Sequence, residues 1–393
     1  LLERATRLLE PDDPRRLVLL PDLAEALTAT GDFQPALELL DEAIAAGAES
    51  GDERLQADAE LVRLFVQGLA TETGWSERLI PDAERAMAAL ERVDDHAGLA
   101  KGWRLIGSVR ANACRYGDTA LALEQAVAHA RLAGDRRQEL RSISAYAQAL
   151  LLGPTPVADA LAECERILER AGGDRRTEAF VLCQLSLLQA RQGNFGGARA
   201  SYVAARAIFE DLGFTLLANS VSLQSGRVEL LAGDLRAAER ELRRDYEALE
   251  RMGEKYLRST VAALLGQVVY AQGRLDEALA LSNTTRELAT EDDVGSQVLW
   301  RAIRAKALAR GSLQSEALAL ADEAVELSRQ TDAIELQASA LVDLAEVRRI
   351  GGERDGDALA EALRLYELKG SSVAANQTRA LLARGTGGQL TPA

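Results

Sequence analysis

The chain has 393 residues, of which 47% are hydrophobic and only 4% aromatic, and its formal net charge is −15. Aromatic residues are enriched in strands, and this chain has few of them and 8 prolines. The composition therefore favours helices. The negative charge disfavours binding of nucleic acid or of an anionic membrane by the whole surface, because both are themselves negatively charged. No apolar run reaches the ~20 residues that a spanning helix needs, so we expect no membrane insertion.

The chain begins inside what reads as a helix, and residues 11–14 end that helix with two prolines. Residues 1–10 therefore resemble the second helix of a truncated unit. Because the first residue is Leu1 and not methionine, we expect the chain to be part of a longer protein. The first complete pair of helices is predicted at residues 14–30 and 33–46.

A helix–turn–helix unit then repeats along the chain, most clearly at residues 264–279, where an apolar helical face ends at Gly273 and a new one begins at Leu275. Glycine has no Cβ and can take the left-handed conformation that ends a helix. From Gly117 onward the equivalent glycines recur every 36 to 40 residues, and Gly74 lies midway between Gly31 and Gly117. The predicted turn glycines are Gly31, Gly117, Gly153, Gly193, Gly233, Gly273, Gly311 and Gly351.

An alanine series follows the same period, five places after the turn glycine, where the second helix must lie close to the first. Its members are Ala36, Ala122, Ala158, Ala198, Ala238 and Ala278. A fixed period of this size is the signature of a helical solenoid. We therefore predict an all-α fold, a right-handed α-solenoid of tetratricopeptide-like helix pairs with a period of about 40 residues. Residues 1–383 are predicted to form a single elongated array of about nine repeats plus a capping helix, in which each unit packs only on its neighbours. Residues 384–393 are predicted to be a flexible tail.

No catalytic or metal-binding pattern is evident. The 3 cysteines and 2 histidines have no paired or metal-ligand spacing, so we interpret the cysteines as buried residues of a reducing compartment and expect a cytoplasmic location. The phosphate-loop and zinc-protease motifs are absent from the sequence. We predict that this segment is not an enzyme and has no catalytic residue, cofactor or metal.

When the units are aligned on their turn glycines, polar residues recur inside the apolar first helices. Ser144, Gln184 and Gln224 each lie nine places before a glycine and 40 residues apart. A buried polar group without a partner costs about 1–3 kcal/mol, so each must find a partner or face water. Two interpretations stay open: the row lines the concave groove and holds a peptide, protein or small ligand, or it forms hydrogen bonds between stacked helices. The candidate groove residues are Arg104, Ser144, Gln184, Gln224, Arg227, Gln267, Tyr270 and Arg301.

Several stretches are more specific than the repeat itself. They are LLERATRLLEPDDPRRLVLLPDLAEAL, GPTPVADALAECERILERAGGDRR, GRVELLAGDLRAAERELRRDYEALERMGE, DDVGSQVLWRAIRAKALARG and ALRLYELKGSSVAANQTRALLA. With them the chain resembles the C-terminal tetratricopeptide-repeat region of bacterial signalling proteins that carry a class III adenylate/guanylate cyclase and a STAND-type AAA ATPase. This sequence contains neither the metal-binding carboxylates of the cyclase nor the phosphate loop of the ATPase. The resemblance therefore assigns no catalytic residue to it.

The resemblance implies a sensor module of a larger signalling ATPase or nucleotide cyclase. Its partners would be a protein, a peptide or the ATPase and cyclase domains of the same protein, with no direct nucleic-acid contact. Two alternatives stay open, namely the sensor arm of a STAND-type transcription activator and a free-standing scaffold protein.

Overall fold

The computed structural model describes residues 2–70 and 75–386, and in these residues all regular structure is helical. A 3-10 helix, Glu77–Leu79, precedes the fifth α-helix. The α-helices are α1 Leu2–Arg7, α2 Pro14–Thr30, α3 Phe33–Ser50, α4 Glu53–Ala70, α5 Ile80–Arg92, α6 His96–Asn112, α7 Tyr116–Leu132, α8 Arg136–Leu152, α9 Val157–Ala171, α10 Arg175–Arg191, α11 Phe195–Asp211, α12 Thr215–Ala218, α13 Ser222–Ala232, α14 Leu235–Arg251, α15 Tyr256–Ala271, α16 Leu275–Leu288, α17 Val294–Arg310, α18 Gln314–Arg329, α19 Ile334–Ile350, α20 Gly356–Lys369 and α21 Ser372–Thr386.

Helices α2 to α20 form nine antiparallel pairs, and α21 packs against α20 at the end of the array. The sixth pair differs, because its first helix is broken into α12 and α13. The prediction of an all-α, right-handed solenoid of tetratricopeptide-like pairs is confirmed. Gly74, midway between Gly31 and Gly117, and most of the predicted tail lie outside the described residues.

The turn glycines behave as predicted at Gly31, Gly193, Gly233 and Gly273, whose φ angles are 91°, 85°, 77° and 83°. The assignment of Gly117 to a turn is wrong. Gly117 lies in the first turn of α7, and the left-handed position between α6 and α7 is taken by Cys114, with φ 53°.

The predicted alanines are buried where the two helices of a pair meet, for example Ala36, Ala238 and Ala278, each 0% exposed. The exception is Ala158, which is exposed. The Pro-Thr-Pro segment before α9 shifts the helix, so that Ala160 takes the buried place instead.

The expectation that each unit packs only on its neighbours is wrong. Helix α2 of the first pair contacts α12 of the sixth, and α4 of the second pair contacts α15 of the seventh. The side chain of Met252, just after α14, lies against Gly31. Each pair in such an array is rotated slightly on the previous one. Here the rotation completes a turn in five pairs with so little rise that successive turns touch.

We call the contact between the two turns the seam. At the seam, the loops that end α6, α8 and α10 meet the loops that begin α19 and α21. Lys369, at the end of α20, is 0% exposed, and its Nζ donates to the carbonyl oxygens of Leu150, Gly153 and Thr155 at 3.1, 2.6 and 2.6 Å. The hydroxyl of Ser372 donates to the Arg191 carbonyl at 3.1 Å. Side chains of one superhelical turn thus form hydrogen bonds with backbone groups at the helix ends of the other superhelical turn. Those backbone groups have no partner within their own helix.

Candidate functional site

Closure of the superhelix converts its concave side into a central cavity of about 880 Å³. The walls come mainly from the first helices of pairs three to nine, together with α21. Much of the wall is apolar or aromatic, and this part is formed by Leu187, Leu223, Leu264, Leu299, Leu336, Tyr116, Tyr256, Tyr270 and Tyr366. A mostly apolar pocket with a few polar groups is the usual form of a small-ligand site.

Three of the cations that line the cavity already have carboxylate partners. Arg191 pairs with Glu335 at 2.6 Å, Lys306 with Asp343 at 2.6 Å, and Arg310 with Glu346 at 3.0 Å. Burial lowers the pKa of Lys306, but Asp343 and Glu346 outweigh burial and leave that pKa above its usual value. Lys306 therefore stays charged and bound to the wall.

Arg227, on α13, is the exception. Its guanidinium donates to the Leu223 carbonyl of its own helix at 3.3 Å, and no carboxylate among the described residues forms an ion pair with it. Burial lowers the pKa of Arg227, but a guanidinium in a protein keeps its positive charge. Among the described residues that line the cavity, the guanidinium of Arg227 is thus free to bind a ligand.

Neutral polar groups also point to ligand binding. Asn112 is 2% exposed and lines the cavity, and its amide nitrogen donates to the Trp75 carbonyl at 3.2 Å. Its Oδ1 is buried without any hydrogen-bond partner. Gln148 and Gln267 also line the cavity, and their side-chain amides form no hydrogen bond within the described part of the chain.

The three residues of the predicted polar row have different surroundings. Gln224 is 6% exposed, lines the cavity and donates from Nε2 to Oε1 of Gln184 at 3.5 Å, one full period earlier. Gln184 donates to the Phe180 carbonyl at 3.3 Å, and the Ser144 hydroxyl donates to the Leu140 carbonyl at 2.7 Å. Gln184 is therefore bonded to a stacked helix through Gln224, whereas the bond of Ser144 stays within its own helix α8, and neither residue lines the cavity.

Four of the eight predicted residues meet at the cavity: Gln224, Arg227, Gln267 and Tyr270. The Tyr270 hydroxyl donates to Glu346 at 2.8 Å, and the Lys306 ammonium lies 4.9 Å from its ring centroid. The other four, Arg104, Ser144, Gln184 and Arg301, lie elsewhere.

Arg104 belongs to a separate buried cluster in the first superhelical turn. It donates to Glu25 of α2 at 3.2 Å and lies 5.0 Å from the Phe65 ring centroid. Arg141 of α8 forms a second ion pair with the same carboxylate. Burial lowers the pKa of Arg104 to about 10, and the nearby Arg141 contributes to that decrease, while Glu25 opposes it.

Arg301, on α17, stacks its guanidinium 4.3 Å from the ring centroid of Trp300 and pairs with Glu323 of α18 at 3.1 Å. Both contacts are within or between neighbouring helices, so Arg301 holds the stack together.

Sequence reasoning missed most of the charged wall. The signal was present, because charged residues such as Lys306 and Asp343 interrupt otherwise apolar first helices. An alignment that compares one position in each repeat does not show these pairs, because their two members lie at different positions of different repeats. The free acceptor of Asn112 has no sequence signal at all.

In the residues that the structure describes, no group of three or more His, Cys, Asp or Glu side chains is arranged to hold a metal ion. None of the helices in this part of the chain has the length and apolar character needed to cross a membrane.

Comparison with known proteins places the fold. No protein-family model and no curated protein sequence matches the chain. Among solved structures, the chain is similar to a Rap protein complexed with competence and sporulation factor, with a TM-score of 0.65, 12% identity and coverage of 94% of this chain and 99% of that one.

Two further solved structures are less similar. One is a STAND protein with a tetratricopeptide repeat sensor from Pyrococcus horikoshii, with a TM-score of 0.44, 15% identity and coverage of 90% of this chain and 55% of that one. The other is the Cut9–Hcn1 hetero-tetramer of APC/C, with a TM-score of 0.46, 14% identity and coverage of 98% and 80%. The fold and the likeness to the Rap protein define the structural class, a tetratricopeptide-like helical-repeat module.

Proposed function

We propose that this chain is a non-catalytic sensor module that binds a short peptide or a small ligand in its central cavity. The cavity itself carries the proposal, since residues of both turns of the superhelix line it and some of its polar groups are unpaired. Its volume of about 880 Å³ is within the range of roughly 300–1,000 Å³ that small-ligand pockets occupy. That size suits a few residues of peptide, whereas a folded partner would not enter.

The similarity to the Rap protein supports the proposal. That protein covers nearly the same length with the same fold, and its structure was solved in complex with competence and sporulation factor. An architecture of this kind is therefore able to hold a ligand.

The wider role we propose is that of a sensor within a larger bacterial signalling protein of the cytoplasm. The support is the resemblance to repeat regions that follow a cyclase and a STAND-type ATPase. Because residues of both superhelical turns line the cavity, such as Leu187 and Leu336, a ligand that contacts both would favour the closed arrangement. It can shift the equilibrium only by the difference between its affinities for the closed and open shapes.

The proposal can be tested by filling the cavity with a large side chain. Ser339 is half-buried on α19 and lines the cavity, so Ser339→Trp would place an indole inside it. The matched control is Ser315→Trp on the exposed side of α18. A pool of synthetic five-residue peptides with random sequence is mixed with each protein, and the peptides retained after ultrafiltration are measured by mass spectrometry.

We expect the unmodified chain and the Ser315→Trp variant to retain peptides and the Ser339→Trp variant to lose them, with helical circular dichroism unchanged in all three. Small-angle scattering of the unmodified chain should become more compact with the retained peptides. No retention by any protein, or equal retention by the blocked variant, contradicts the proposal.

A further inference from the structure

The charges in the cavity restrict what the ligand can be. We infer that the ligand carries a single carboxylate, and that this carboxylate pairs with Arg227. The inference rests on the proposed function and adds the chemical class of the ligand.

Arg227 is the only cation of the described cavity wall that has no carboxylate partner, since Arg191, Lys306 and Arg310 are each bound to an acid. A guanidinium has five N–H donors in a rigid fork, and Arg227 uses one of them on the carbonyl of Leu223. The remaining donors match a carboxylate, which accepts two parallel hydrogen bonds from such a fork.

A doubly charged phosphate fits less well. Four carboxylates line the described wall, those of Asp293, Glu335, Asp343 and Glu346. Three are neutralised by their cations, whereas Asp293 is held by Ser259 and the backbone N–H of Ser296. A second negative charge on the ligand would therefore meet repulsion and find no second free cation. One negative charge on the ligand matches the single guanidinium of the described wall that has no carboxylate partner.

The neutral groups indicate an amide-bearing body. The Asn112 Oδ1 is a buried acceptor that needs an N–H donor, and the primary amides of Gln148 and Gln267 can each both donate and accept. Peptide bonds present the complementary N–H and C=O groups. Apolar walls such as Leu264 and Leu299 would cover the side chains between them. The ligand is thus a short peptide or peptide-like acid, with its carboxylate either at the C-terminus or on an acidic side chain.

The experiment compares three pools of five-residue peptides by ultrafiltration and mass spectrometry. The first has free C-termini and lacks Asp and Glu, the second is the same but amidated, and the third is amidated and contains Asp and Glu. Each is tested on the unmodified chain, on Arg227→Gln, on Arg227→Lys and on Arg240→Gln, whose arginine is exposed on the surface of α14.

We expect the second pool to be retained least, and the stronger of the first and third to show which carboxylate is used. Isothermal titration with the best retained peptide should show a loss of affinity of about ten- to hundredfold in Arg227→Gln, partial recovery in Arg227→Lys and no change in Arg240→Gln. Equal retention of all three pools, or unchanged affinity in Arg227→Gln, overturns the carboxylate inference and leaves the proposed function standing. Retention of no pool by the unmodified chain overturns both.

Discussion

The carboxylate of Asp332 accepts a hydrogen bond from the backbone N–H of Tyr116 at 2.8 Å, although 216 residues separate them. Its other oxygen accepts from the N–H of Gly117 at 2.6 Å. These two amides begin α7, where backbone donors have no partner within the helix. A residue of the second superhelical turn therefore caps a helix of the first. Capping of this kind gives the seam a specific register.

Removing that cap should weaken the seam. We expect Asp332→Ala to lower the free energy of unfolding by about 1–2 kcal/mol, because two helix-terminal amides lose their acceptor. Urea unfolding followed by circular dichroism measures the change, and small-angle scattering should show a larger radius of gyration. The control is Glu353→Ala, which removes an exposed acid from the loop after α19. Identical behaviour of the two variants would refute the capping role.

Lys369 supplies a second, chemically different bond across the seam. Its ammonium has three donors, and three carbonyl oxygens near the end of α8 accept them. We expect Lys369→Met to destabilise the chain by about 2–3 kcal/mol, because the carbonyls lose their donor in a buried place. Thermal melts of this variant are compared with those of Arg364→Met, which shortens an exposed side chain on the same helix. A melting temperature of Lys369→Met equal to that of the control would contradict the prediction.

Glu25 holds the buried cluster of the first turn together. Replacing it with glutamine leaves Arg104 and Arg141 without a counter-charge. We expect Glu25→Gln to cost about 3–5 kcal/mol, as is typical when one partner of a buried ion pair is removed. Chemical unfolding at pH 7 measures the cost. The exposed Glu49→Gln on α3 is the control and should change stability by less than about 0.5 kcal/mol.

The same cluster predicts a pH dependence. Burial alone would raise the pKa of Glu25, but Arg141, Arg104 and Lys101 outweigh it and bring the pKa well below its usual value. A carboxyl whose pKa is lower in the folded state stabilises the fold above its unfolded pKa of about 4.3, and this stabilisation is lost as the pH falls. The stability difference between the unmodified chain and Glu25→Gln should therefore be constant from pH 6 to 8 and shrink below about pH 4. A difference that grows on acidification would contradict this sign.

The pair formed by Gln184 and Gln224 tests the polar row. We expect Gln184→Leu to cost about 1 kcal/mol, since it leaves Nε2 of Gln224 without its acceptor. The double variant Gln184→Leu/Gln224→Leu should cost less than the sum of the single variants, because both partners are then removed together. Thermal melts give all three values, and Gln125→Leu on the exposed face of α7 is the control. Strictly additive losses would show that the 3.5 Å contact contributes nothing.

Much of the local architecture could be predicted from the sequence. The turn at Gly273 and the buried Ala278 follow from the absence of a Cβ and from close helix packing, which depend only on residues within one unit. The errors within single units also have local causes: at Cys114 the left-handed position is occupied by a residue that is not glycine, and at Ala158 two prolines shift the helix by two positions.

The amino-acid sequence by itself determined that the chain is a row of helix pairs, because helix propensity, turn residues and packing alanines act over a few residues. Only the tertiary structure decided that the row closes on itself. Closure depends on the total of the small rotations between five successive pairs, and the sequence of a single unit does not determine that total. For the same reason Gln184 and Gln224, which hold the same place in successive units, have different surroundings. Only Gln224 reaches the cavity in which Arg227 lies unpaired.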